Sequence, residues 1–556
     1  MNSIKHIAYQ AYSRLAGRVT RAYHRYLMKA LYRQAPSVSD AAPMLFWVPG
    51  GMPIMLHLEG AIAAALRLRQ HKVHAVLCDG VFSACIKREV TDTTHVTEWQ
   101  KTCSACKRAC SDTLSQLGVP HSFIGDYVSE RELLQARNES KKITWATVET
   151  LSYQGVSIGK NVKSAIQRYL KGHDLPTDAN IVQEYAFSGL VSAAAARNSF
   201  RQVKPARIFM SHGVYVDWGP ALHTALEVGI PVTAWMASYL PARFYFRHLE
   251  DGVHIDFHSM SNDAWRDIST INLTAGQQKQ LDEYLTDRYQ RNSSFDMKHF
   301  KPYVGKTVEA LARYGLDEGK PIWGILAHIN WDSVSDYAPM LYDSFNEWMS
   351  DTIEIAKEIS NVQWLIKVHP AEAWDNPDSG VEALIRRKYP SLPANIRVLS
   401  AEENISPLDF YSLVDGAVTV YGTAGLELAM HGKPIILAGD AHYGKKGFTY
   451  DADSRDAYKF LLQGTAGIGP LSSPQVDLAK KYAYCYFILR QIPVSVVSNP
   501  DAKWWGFQFN KRESLLPGKD PAIDFICERV NDGNDFIMSP GLAAEADNCI
   551  AKTHYA

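Results

Sequence analysis

Short, unbroken apolar runs recur along most of this chain, separated by stretches of helical period. Met44-Leu45-Phe46-Trp47-Val48, Val73 to Leu77, Ala206 to Met210 and Pro231 to Trp235 form one set. Pro321 to Leu326, Trp364 to Val368, Ala417 to Val420 and Pro434 to Ala438 form a second. Most of these runs show no apolar–polar alternation, the pattern of strands covered on both faces in a parallel sheet. Leu56 to Arg69 and Pro220 to Val228 have helical period and lie between such runs. Strand, helix, strand at this spacing is the parallel crossover unit. The predicted class is therefore α/β, with two Rossmann-like, doubly wound units facing a cleft.

At 556 residues the chain exceeds one ordinary core. The pattern divides it into a basic helical segment at 1–40, a first α/β domain at 41–271, a charged helical bridge at 272–316 and a second α/β domain at 317–500. Residues 501–556 form a polar, turn-rich tail with little signal. No internal repeat or low-complexity tract interrupts this order.

The first segment has no acidic residue from Met1 to Ser39. Arg14, Arg18, Arg21 and Arg25 recur at helical spacing. A basic, partly amphipathic helix of this kind suits an anionic membrane surface; a helix packed on the body, or a transit peptide, would read alike. Elsewhere composition is that of a soluble globular protein. A net charge of −1 gives no case for nucleic acid as the main partner. No apolar run reaches the ~20 residues needed to cross a bilayer. The absence of a secretory apolar core predicts a cytoplasmic protein.

Candidate chemistry concentrates in the second half. Trp364-Leu365-Ile366-Lys367-Val368 ends in His369-Pro370, and Ala417 to Val420 ends in Tyr421-Gly422-Thr423-Ala424-Gly425-Leu426-Glu427. Ligands of such units sit beyond the carboxyl ends of the strands. Gly422, Thr423 and Gly425 at a helix start offer N–H groups and the positive dipole end to a phosphate. His369, aimed by Pro370, can donate to the same phosphate, and Glu427 can accept from sugar hydroxyls. In the first half, Gly50 and Gly51 form a turn that could admit an acceptor or a phosphate. His212, Asp79 and Glu59 lie near strand ends and are the candidates for catalytic base or nucleophile. No acidic metal clamp stands out, so no cofactor is expected for group transfer.

Five of the eight cysteines fall between Cys78 and Cys110. Cys103 and Cys106 have metal-type spacing, and Cys78, Cys85, Cys103 and Cys106 make a candidate Zn²⁺ set, with an iron–sulfur cluster as the alternative. A cluster of reduced, partly buried thiols is the competing expectation.

The second-half motifs resemble glycosyltransferases of the GT-B fold, specifically the capsule-polysaccharide biosynthesis type that includes bacterial Kdo and other CMP-sugar transferases. The resemblance is carried by Asn330-Trp331-Asp332, Lys367-Val368-His369-Pro370, Tyr421 to Glu427, Gly432-Lys433-Pro434 to Gly439, and Tyr443 to Thr449. Ser211-His212-Gly213-Val214-Tyr215 and Cys78-Asp79-Gly80 extend it weakly into the first half. It implies a nucleotide-sugar donor, CMP-linked and Kdo-like, held by the second domain with Asn330 among its ligands. It implies a glycan or glycolipid acceptor on the first domain, for building capsule or lipopolysaccharide. A nucleotide-sugar epimerase of the same fold and a non-catalytic assembly protein are the alternatives.

Overall fold

The computed structural model describes all of the chain except residues 1, 35–40, 51, 91–97, 174, 176–179, 250–257, 292–312, 318, 333–334, 376–379, 404, 499–504 and 552–556. Two sheets organise the described residues. The first contains β1 (Met44–Trp47), β2 (Val73–Leu77), β3 (His121–Phe123), β6 (Arg207–Ser211), β7 (Val232–Ala237) and β8 (Arg243–Leu249). A separate hairpin, β4 (Ser152–Tyr153) and β5 (Val156–Ser157), precedes β6. The second sheet contains β9 (Ile322–Leu326), β10 (Gln363–Lys367), β11 (Ile396–Leu399), β12 (Gly416–Thr419), β13 (Ile435–Leu437) and β14 (Tyr450–Asp451).

The first sheet runs β15-β8-β7-β6-β1-β2-β3, where β15 is Ile492–Pro493, and the second runs β11-β10-β9-β12-β13-β14. The second is parallel throughout. In the first, β8 runs antiparallel to both its neighbours, β7 and β15, and the other pairings are parallel. Both sheets follow the doubly wound order, in which the chain starts centrally, winds to one edge and crosses back. The loops after the two central strands therefore diverge and leave a crevice beyond their carboxyl ends. The crevice lies between β1 and β6 in one sheet and between β9 and β12 in the other.

The strand runs are apolar because each residue is covered, whichever way it points. Leu45 and Trp47 pack with Ile208 and Met210 on one face of the first sheet, while Phe46 packs with Phe209 on the other. Trp323 and Ile325 similarly face a separate core from Ile322 and Leu326. One apolar layer is common to both halves and includes Phe246, Leu285, Tyr411, Leu426 and Tyr482.

The end of the chain departs from the expected division. Helix Ser473–Tyr484 passes into a one-turn π-helix, Cys485–Leu489, and the chain then enters the first sheet at β15. The second unit thus ends before residue 492 rather than at 500. The tail forms helices Pro521–Asp532 and Pro540–Ala551, and Asp524 there pairs with Arg69. Its apolar residues face a surface of the first half, which a local pattern cannot show.

Helix Asn2–Tyr32 opens the chain. Side chains are described from Ala16 onward. Met28 and Leu31 are buried, Tyr32 donates to the Leu117 carbonyl at 2.7 Å, Arg21 pairs with Asp112 at 3.3 Å, and His24 stacks on Phe509 at 3.5 Å. This part of the helix is docked on the body. Its outward face still carries Arg18, Arg25 and Lys29 with exposed Val19, Tyr23 and Tyr26. Among the described residues no helix is long and apolar enough to cross a membrane.

Candidate functional site

A cavity of about 380 Å³ lies beyond the carboxyl ends of β9, β10 and β12 and reaches residues of the first half. His328 and Ile329 after β9, His369 after β10, and Tyr421, Gly422 and Thr423 after β12 line it. Asp332, Tyr337, Phe345 and His442 complete the second-half wall, and Met236, Tyr239 and His258 come from the first half. The switch point of the second sheet has become the pocket, as the winding order requires.

Hydrogen bonds set the proton positions on the histidines. His369 Nδ1 accepts from the Ala371 N–H at 3.2 Å, so a neutral ring carries its proton on Nε2 and can donate there. His328 Nε2 accepts from the N–H groups of Val420 and Tyr421 at 3.2 and 3.3 Å, which leaves the proton on Nδ1. Burial pushes the His328 pKa down to about 3, and the ring stacks on Phe345 at 4.6 Å. His328 is thus a neutral strut that fixes the backbone leading into Gly422. Thr423 makes no side-chain cap bond to its own seven-residue helix. Its Oγ1 lies 2.9 Å from the Tyr239 hydroxyl, which lies 3.0 Å from that of Tyr486.

Asp332 is the sole carboxylate among the described wall residues, and its Oδ1 accepts from the Tyr215 hydroxyl at 2.6 Å. Tyr215 has φ of +63°, a left-handed conformation disfavoured for a residue with a side chain. Its backbone N–H donates to Asp336 Oδ2 at 2.7 Å, so Asp332 and Asp336 both hold the residue that follows the β6 loop.

Not every residue singled out in the sequence reaches this cavity. His369, Gly422 and Thr423 line it, with buried Pro370 behind His369. Asn330 instead turns to Asn346, donating to its Oδ1 at 3.3 Å. Gly425 has no room for a ligand: an added Cβ would lie 2.1 Å from the Tyr443 hydroxyl, which donates to the Gly422 carbonyl. Glu427 is buried and already occupied. It pairs with Arg288 at 3.2 Å and accepts from the hydroxyls of Tyr289 and Tyr411 at 2.6 and 2.9 Å. The expectation of a sugar contact at Glu427 is therefore corrected; its carboxylate ties the helix at 275–291 to the second unit.

The first-half candidates also lie away from the cavity wall. Asp79 Oδ1 accepts from the Gly125 N–H at 3.3 Å and holds the turn after β3. Glu59 is buried on helix Pro53–Leu68, where it accepts from Trp235 Nε1 at 3.1 Å. Burial raises its pKa to about 8, outweighing that hydrogen bond. His212 Nδ1 accepts from the Val214 N–H at 3.2 Å, and the ring meets Trp218 edge-on at 4.7 Å. Burial lowers its pKa to about 3. Gly50 has φ of +87° and an added Cβ would strike Cys110 Sγ at 2.8 Å, so turn and packing both demand glycine. Gly51 lies outside the described residues.

Cys78, Cys85, Cys103 and Cys106 line a separate cavity of about 40 Å³, with Asp217 and Arg88. Among the described residues, no group of three or more His, Cys, Asp or Glu side chains is placed to hold a metal ion. The four cysteines share a wall without converging on a point. Burial raises the pKa of Cys78 to about 12 and raises that of Cys85 as well.

Sequence reasoning missed Tyr239, His258, His328, Asp332 and His442 as wall residues. Asp332 and His328 sit in the loop after β9, at the switch point, and that position was a usable signal. Tyr239 and His258 belong to the other half and carried none.

Residues 332–464 match the family model described as capsule polysaccharide biosynthesis protein. The segment holds β10 to β14 and most of the cavity wall. It is also where the second-half motifs resemble that family, so the resemblance holds there. None of the curated proteins compared matches the chain. Among solved structures, similarity is found to Thermosulfurimonas dismutans KpsC, beta Kdo 2,4 transferase. Identity is 15%, covering 56% of this chain and 87% of that one, with a TM-score of 0.34. UDP-GlcNAc 2-epimerase from Neisseria meningitidis bound to UDP-GlcNAc is similar at 11% identity, covering 80% and 98%, with a TM-score of 0.25. Both likenesses are too distant to carry function.

Proposed function

From a chain whose residues 332–464 carry the capsule polysaccharide biosynthesis signature, we propose a glycosyltransferase that moves a sugar from a nucleotide-activated donor, CMP-linked and Kdo-like, to a surface polysaccharide or glycolipid acceptor. One observation carries this reading: the cavity at the switch point is built largely from that segment and presents His369 as a hydrogen-bond donor. As the glycosidic bond of a nucleotide sugar breaks, negative charge grows on the leaving phosphate. A donor fixed beforehand in a water-poor site stabilises that charge. His369 Nε2–H and the Thr423 hydroxyl are placed at the strand ends for this role. Asp332 is the carboxylate best placed to act as base on an acceptor hydroxyl. Tyr239 and His258 bring the first half, the expected acceptor side, to the same space.

A thermal-shift screen with CMP, UDP, GDP and CDP tests the donor class. CMP is expected to raise the midpoint most, because a ligand that binds only the folded state stabilises it. A larger shift with UDP or GDP would reject the CMP assignment, and no shift with any of the four would reject nucleotide binding.

The membrane surface enters the same proposal through helix Asn2–Tyr32. Each basic residue near an anionic surface contributes about 1 kcal/mol, screened by salt. Arg18, Arg25 and Lys29 beside exposed Val19, Tyr23 and Tyr26 form a suitable outward face. Anionic vesicles are expected to co-sediment the protein at low salt and release it at high salt. Replacing the three basic residues with Glu should abolish the effect without unfolding the docked residues. Failure to co-sediment at low salt removes the membrane from the proposal.

A further inference from the structure

His442 carries a buried polar atom with no hydrogen-bond partner, and among the described wall residues of the large cavity it is the one that does. The side chain is 4% exposed. Its Nδ1 lies 3.0 Å from the Tyr482 hydroxyl. That hydroxyl spends its proton on the His442 carbonyl at 2.5 Å, so Nδ1 must be the donor and Nε2 the acceptor. Aromatic neighbours surround the ring. It stacks on Tyr486 at 4.3 Å and also meets Tyr443 and Tyr482. Nε2 is thus a buried acceptor without a donor, on a residue that lines the cavity.

An acceptor rejects phosphate oxygens, which also only accept. It matches a hydroxyl or an amine. Position separates these two. His442 faces His258 of the first half at 5.6 Å, and Tyr486 belongs to the segment that leads the chain back to the first sheet. The transferred sugar must point toward the half that holds the acceptor, whereas the nucleotide lies with the second. We propose that His442 Nε2 accepts a hydrogen bond from a hydroxyl of the donor's sugar and so selects the sugar rather than the nucleotide. This rests on the glycosyltransferase reading above.

The test compares a bare nucleotide with its sugar conjugate, using CMP against CMP-Kdo and UDP against UDP-GlcNAc by calorimetric titration. His442→Phe keeps the ring volume and removes the acceptor. It is expected to bind the bare nucleotide within about 2-fold of wild type and to weaken the conjugate roughly 10-fold, the usual effect of one lost hydrogen bond at a buried site. His442→Gln, which retains an oxygen acceptor near the Nε2 position, should recover most of the loss. It also serves if the phenylalanine variant folds poorly. Equal weakening of nucleotide and conjugate would assign His442 to the base or to structure, and unchanged binding of both would dismiss it; either result overturns the inference while leaving the glycosyltransferase reading intact. Wild-type protein that binds neither conjugate overturns both.

Discussion

Replacing His369 with Ala is expected to lower sugar transfer roughly 10²–10³-fold, the range seen when one preorganised donor to a developing anion is removed. Ala371 N–H occupies Nδ1 at 3.2 Å, so the proton sits on Nε2 and the ring presents a donor toward the cavity. The loss should fall on kcat more than on KM, because the phosphate gains charge chiefly in the transition state. The thermal midpoint should hold, since His369 is only partly buried. His369→Gln should recover part of the rate if its amide reaches the same place. Single-turnover transfer from a labelled donor measures the effect, and turnover like wild type in the Ala variant would remove His369 from the chemistry.

The largest stability effect is expected at Glu427. Arg288 and Glu427 have side chains only 4% and 3% exposed, and the same carboxylate accepts from Tyr289 and Tyr411. Removing one member of a buried pair leaves the other charge without its counterion, which costs about 3–5 kcal/mol. Glu427→Ala should therefore lower the urea midpoint strongly. Glu427→Gln, which keeps an acceptor for the tyrosines, should lower it less. A double replacement of Arg288 and Glu427 by Met should recover much of the loss, because neither charge then remains buried. The effect should extend to the site, since the Arg288 guanidinium lies 4.6 Å over the ring of Tyr239, whose hydroxyl meets Thr423. If Glu427 bound sugar instead, its loss would raise KM and leave the midpoint alone. The urea titration separates the two.

Two residues of one motif region were legible in the sequence to different degrees. His369 follows a strand and precedes a proline, so its place at the strand end could be read locally. Glu427 also lies one turn into a helix after a strand, and local reasoning gave it a ligand. Its partner, Arg288, is 139 residues away in sequence, on a helix that the pattern could only describe as charged. Gly425 failed for a similar reason: the space beside it belongs to Tyr443, from beyond the next strand. Asp79 lies just after β2, whereas Glu59 lies within helix Pro53–Leu68; one holds a turn and the other a tryptophan.

The sequence by itself determined the two doubly wound units and the end of each sheet at which a ligand can sit. That information is local. A strand covered on both faces must be apolar throughout, and a parallel connection needs a helix between strands. It also placed His369, Gly422 and Thr423 at those ends. Tertiary structure alone decided what stands opposite them. Tyr239 and His258 come from the other half, Tyr486 comes from the returning segment, and His442 is held by a cage drawn from both. It also decided that Glu427 is spent on a buried ion pair. Whether a polar group is available to a ligand depends on which distant side chains reach it first, and periodicity along the chain holds no record of that.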